Sequence, residues 1–119
     1  YNDLKYNNDY GGFTENGLEY KMKISKFHKL PTAWSNILAN KNFGTLITQN
    51  LGGFTWNQNS RLNRLSAWNN NSNIDIPSEI IYIKDKETGN TWCLNENLVH
   101  EPQEYHLTYG FRVCCGKNI

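Results

Sequence analysis

Two stretches of this chain alternate with a period of two residues. Leu18, Tyr20, Met22 and Ile24 are interleaved with Glu19, Lys21 and Lys23, and Tyr105, Leu107, Tyr109 and Phe111 with His106, Thr108 and Gly110. Successive side chains of a strand point to opposite faces, so this pattern describes half-buried strands with one wet face. His106 is expected on that wet face. No segment carries apolar residues at helical spacing over a normal helix length, and Pro31 disfavours a helix through Leu30.

The remaining runs fit the same scheme. Trp34, Ile37 and Leu38 fit either one side of a short helical turn or a strand from Trp34 to Ala39, of which the strand is preferred; the β-branched NFGTLIT (42–48) reads as a strand, and LGGFTW (51–56) places Phe54 and Trp56 on one face. Gln49-Asn50, with Gly52 and Gly53 close behind, predicts a hairpin turn. Gly11-Gly12 and Asn16-Gly17 are turn signals too, because Asn and Gly tolerate positive φ. The clearest hairpin has strands Glu79 to Lys84 and Thr91 to Leu94 around a turn from Asp85 to Asn90, with Gly89 supplying positive φ. NNNSNIDIP (69–77) and NENLVHEP (95–102) read as loops. Short strands separated by Gly and Asn turns predict an all-β fold, an antiparallel β-sandwich. At 119 residues the chain suits one domain or a fragment of one.

Composition narrows the function. The net charge of +1 is too small for a dedicated nucleic-acid or membrane-surface protein. Four Trp, seven Tyr and five Phe supply buried area that a disordered chain lacks. Asparagine makes up roughly one residue in six, which fits either the codon bias of an AT-rich genome or a surface rich in turns and polar contacts. Cys93, Cys114 and Cys115 form no CxxC, and adjacent cysteines bond only with strain. That usage suggests a reducing, cytoplasmic compartment and neither a disulfide framework nor a zinc site. No apolar run reaches the length of a membrane span. The chain opens on YNDLKYNNDYGGF without Met and is expected to be a processed chain or an excised piece of a longer one.

Catalytic motifs are not found: there is no HExxH, P-loop, GxSxG or GxGxxG. His28, His100 and His106 lack metal-ligand spacing, so no metal or cofactor is expected. Carboxylates such as Asp75, Glu79, Asp85, Glu87, Glu101 and Glu104 are scattered, and nothing in the spacing marks two of them as a glycosidase pair.

The ordered blocks GGFTENGLEYKMKI, TAWSNILANKNFGTLIT, GGFTWNQNSRLNRLSAWNNN, DIPSEIIYIKDKETGNTW and YHLTYGFRV resemble the N-terminal region of glycoside hydrolase family 94, formerly glycosyltransferase family 36. W-S-N-x-x-A-N-x-x-F-G-T and T-W-x-x-N-S-R-x-N-R-L-x-x-W are its specific parts. The family includes cellobiose and other β-glucan phosphorylases and the phosphorylase-like end of cyclic β-1,2-glucan synthases. The resemblance covers about residues 10–112. Residues 113–119 look unlike it, and Tyr109-Gly110-Phe111-Arg112-Val113 stands where the family has H-G-x-G-Y. It implies part of a mutarotase-like supersandwich, truncated and non-catalytic, whose parent proteins carry inverting phosphorolysis on an (α/α)6 barrel. The implied partners are a β-glucan oligosaccharide and either a second copy or a C-terminal catalytic domain, with no nucleic acid and no membrane. A free-standing carbohydrate-binding module is the alternative.

The candidate carbohydrate-binding residues lie in FTWNQNSRLNRLSAW (54–68). In the family this run lies near the junction of sandwich and barrel. Trp56 or Trp68 would stack on a pyranose face. Asn57, Asn59 and Asn63 would bond hydroxyls, and Arg61 or Arg64 would offer planar forks to hydroxyl or phosphate. The competing expectation is scaffolding: Asn63 and Arg64 would pin the following loop by its carbonyls, with Trp56 and Trp68 in the core.

Overall fold

The computed structural model describes residues 3–25, 27–71, 73–94 and 105–111, and the backbone of 114–118. These contain nine strands and no helix: β1 Gly11–Phe13, β2 Glu19–Ile24, β3 Ser35–Ala39, β4 Phe43–Thr48, β5 Gly53–Asn57, β6 Tyr82–Lys84, β7 Thr91–Cys93, β8 Tyr105–Gly110 and β9 Cys114–Asn118. All pairings are antiparallel. Among the described residues no helix is long and apolar enough to cross a membrane. The NENLVHEP loop lies outside the described residues.

The chain divides into two compact units, one of residues 1–31 with 101–119 and one of residues 32–100. In the first unit the sheet order is β1-β2-β8-β9. The two alternating runs recognised in the sequence pair with each other, Met22 opposite Leu107 and Ile24 opposite Tyr105. Their apolar residues form the core: Met22, Ile24, Tyr105, Leu107 and Tyr109 are buried, whereas Lys23 is exposed. His106 is half-buried.

Several boundaries differ from the sequence reading. Gly11-Gly12 is not a turn but the start of β1. A Cβ on Gly11 would stand 2.3 Å from the Lys21 carbonyl oxygen, and one on Gly12 2.8 Å from Leu4 Cβ. These glycines serve close packing, while Asn16-Gly17 makes the turn. Leu18 and Phe111 fall outside the strands and are exposed. Cys114–Asn118 pairs with β8 as an edge strand.

The second unit contains the three-stranded sheet β3-β4-β5 and the hairpin β6-β7. The β4-β5 turn falls at 49–52, with Leu51 at φ 58°. Gln49 is buried beside it. Its Oε1 accepts from the Trp34 amide at 2.8 Å, and its Nε2 donates to the Thr32 carbonyl, which holds the approach to β3. The 85–90 turn forms as expected, with Gly89 at φ 77°. Strand β6 is shorter than the predicted 79–84. Residues 78 and 79 bond elsewhere: Ser78 donates its amide to the Leu51 carbonyl and its hydroxyl to the Gly53 carbonyl. The Glu79 carboxylate accepts from the Thr55 and Ser66 hydroxyls.

Candidate functional site

The FTWNQNSRLNRLSAW run leaves β5 and folds back along it. Trp56 bridges Arg64, the Leu65 amide donates to the Thr55 carbonyl at 2.8 Å, and the Asn57 amide donates to the Asn63 carbonyl at 3.1 Å. Asn59 shapes the tip, where its Oδ1 accepts from the Arg61 and Leu62 amides at 2.9 and 2.8 Å. An Asn side chain that satisfies its own loop's amides is an ordinary turn device. Gln58, at φ 63°, donates its amide to the Asn42 carbonyl.

Phe54 organises the aromatic residues. It is buried, with Trp56 tilted against it at 5.4 Å between centroids and Trp68 edge-on at 5.0 Å. The Arg64 guanidinium lies 4.7 Å from the centre of the same ring, and its Nε donates to the Ser60 carbonyl at 2.8 Å. The seven candidate residues therefore split. Trp56, Asn59, Arg64 and Trp68 make packing or hydrogen-bond contacts inside the lobe. Asn57, Arg61 and Asn63 are exposed, and their side chains make no hydrogen bond among the described residues. The carbonyl that Arg64 binds belongs to its own turn and not to the 69–77 loop.

A second feature adjoins the lobe. A cleft of about 110 Å³ is lined by Ser35, Leu46, Thr48, Gly53, Trp68, Asn69, Asn70, Asn71, Ile74 and Asp75, among others. Of the seven candidates only Trp68 reaches it. Asp75 fastens its rim: one carboxylate oxygen accepts the Thr48 hydroxyl at 2.6 Å and the other the Asn50 amide at 3.3 Å. Gly52 allows this approach, since a Cβ there would stand 2.1 Å from Asp75 Oδ1. In the sequence, residues 69–77 show only turn formers, and the run of three asparagines after a tryptophan is the signal for the cleft. Among the described residues no group of three His, Cys, Asp or Glu is placed to hold a metal ion.

The model of the glycosyl hydrolase 94 supersandwich domain matches residues 18–115. The chain belongs to that family. Its fold class is thus the all-β supersandwich of glycosyl hydrolase 94. The chain is 33% identical over 87 residues to cyclic beta-(1,2)-glucan synthase NdvB of Rhizobium meliloti (strain 1021), which covers 73% of this chain and 3% of that protein. It is 28% identical over 104 residues to N,N'-diacetylchitobiose phosphorylase of Vibrio proteolyticus, covering 85% of this chain and 13% of the relative. The Vibrio furnissii N,N'-diacetylchitobiose phosphorylase is 31% identical over 86 residues, 72% of this chain and 10% of the relative. The chain thus spans a small part of each of these glycosyl hydrolase 94 relatives.

Proposed function

We propose that this chain is a non-catalytic supersandwich domain of a β-glycan phosphorylase-like or cyclic glucan synthase-like protein. In this reading it works by assembly, docking with a catalytic domain or a second copy, and it touches the glycan through the 57–68 lobe. The observation that carries the reading is the match of the supersandwich model to residues 18–115. That model describes the supersandwich and not a barrel, which supports a role without bond-making chemistry. The lobe supports the contact. Arg64 and the two tryptophans are held on Phe54, so Asn57, Arg61 and Asn63 are presented on an ordered turn. Preorganised polar groups lose less freedom on binding.

All four tryptophans lie in the 32–100 unit, so their fluorescence reports on the lobe. Titration with β-1,2- and β-1,4-gluco-oligosaccharides, with column light scattering on the same sample, tests the proposal. The expected result is a dimer or larger species with a saturable fluorescence change. A monomer that binds saturably would favour a free-standing carbohydrate-binding module. A monomer with no response would overturn both assembly and contact.

A further inference from the structure

The asparagines of the cleft each have one end of the amide engaged. Asn70 Oδ1 accepts the Trp68 indole N–H at 2.9 Å. Asn69 Oδ1 accepts the Asn71 amide at 3.0 Å, and Asn71 Oδ1 accepts the Asn73 amide at 3.0 Å. A carboxamide has an acceptor oxygen and a separate two-proton donor nitrogen. Here all three oxygens are used by the loop, and among the described residues the three nitrogens make no hydrogen bond. The oxygens hold each side chain in place while the donors remain available.

We propose that this cleft is a subsite for one neutral pyranose ring of a glycan chain. The Nδ2 groups of Asn69, Asn70 and Asn71 donate to the ring's oxygens, and Trp68 forms the apolar wall. Three features set the ligand class. The free groups are donors, so the ligand must be rich in acceptors. Among the described residues no Lys or Arg lines the cleft, and its one carboxylate, Asp75, is engaged by Thr48 and Asn50, so neither phosphate nor a cation is favoured. The volume, about 110 Å³, suits a single six-membered ring. An indole beside amide donors provides the apolar body and polar fringe that a sugar ring presents. The subsite takes only its ligand class from the proposed function, and it uses residues apart from the tip of the lobe.

Nuclear magnetic resonance of the full chain, titrated with sophorose and separately with N,N'-diacetylchitobiose, tests it. The expected result is saturable shifts of the Asn69, Asn70 and Asn71 side-chain NH₂ signals and of the Trp68 indole N–H. The two arms show whether a hydroxyl or an acetamido group is preferred. Asn71→Asp and Asn69→Asp keep the oxygen that holds the loop and remove the donor. Each should weaken binding about tenfold with the amide spectrum otherwise unchanged. Shifts confined to residues 57–64 would overturn the subsite and leave the lobe reading standing. No shifts with either sugar, or full binding by both Asp variants, would also overturn it.

Discussion

Replacing Asp75 by alanine should loosen the 32–100 unit by an amount that follows from its bonds. Thr48 is only 4% exposed, and its hydroxyl donates to the Asp75 carboxylate at 2.6 Å. A hydrogen bond to a charged group is worth about 1.5–3 kcal/mol. The bond from the Asn50 amide, at 3.3 Å, is long and adds little. Asp75 is half-buried, so solvent repays part of the loss, and about 2 kcal/mol remains. With a urea slope of about 1–3 kcal/mol per molar, the unfolding midpoint should fall by roughly 1 M. Tryptophan fluorescence is the right probe because all four tryptophans lie in this unit. Asp75→Asn keeps an acceptor but loses the charge, and should cost about half as much. Adding Thr48→Val to Asp75→Ala should recover part of the loss, because the buried hydroxyl left without its acceptor is then gone. An Asp75→Ala midpoint within error of the parent, or no coupling between the two sites, would refute the assignment of this contact as the fastener of the loop.

Three further outcomes are expected. Gly53→Ala should cost about 3 kcal/mol or more in thermal unfolding, since φ is 98° and the new Cβ would stand 2.0 Å from the Leu46 carbonyl oxygen; Gly17→Ala, at φ 70° with open space around it, should cost about 1 kcal/mol. Arg64→Ala should destabilise the lobe by about 1 kcal/mol in urea, and Arg64→Lys should not restore it, because an ammonium lacks the planar group that lies over Phe54. The Thr88 hydroxyl and the Glu87 amide hold the Asp85 carboxyl below its ordinary value of 3.8; its support for the β6-β7 turn is therefore full above 3.8 and lost as pH falls through the lowered value, so exchange of the Glu87 amide should quicken only in that acid range and Asp85→Asn should abolish the effect.

Much of the fold was legible because a half-buried strand writes itself as alternation. Met22, Ile24, Tyr105 and Leu107 alternate in the sequence as one face of two strands, and the structure buries them across a single ladder. The Asn16-Gly17 and 85–90 turns were legible for a similar local reason, that positive φ leaves a mark in residue type. Gly11 and Gly12 misled because glycine has two uses. It relieves φ in a turn and it clears space for a neighbouring strand, and only the position of Lys21 and Leu4 shows which applies. Strand β6 lost its first residues to partners distant in sequence. The hydroxyls of Thr55 and Ser66 and the carbonyls of Leu51 and Gly53 hold Glu79 and Ser78, and no local pattern announces them.

The candidate surface was legible in kind, and the structure sets a second candidate, the cleft at Trp68, beside it. A run with two tryptophans, two arginines and several asparagines suggested a polar surface with aromatic walls, and the question was whether these residues serve the loop or a ligand. Among the described residues, Asn59 and Arg64 make their side-chain contacts within the lobe. For Asn69, Asn70 and Asn71 the two uses need not compete. An amide that gives its oxygen to the chain is fixed in orientation, and a fixed donor costs a ligand less entropy than a mobile one. Asparagine richness read from composition alone divides into turn former or binding surface, because composition cannot show which end of the amide is used. Once the oxygen is assigned to the backbone, the turn is what prepares the donor. That is why exchanging Asn71 for Asp, which preserves the turn and removes only the donor, separates the two uses where exchange for alanine would remove both.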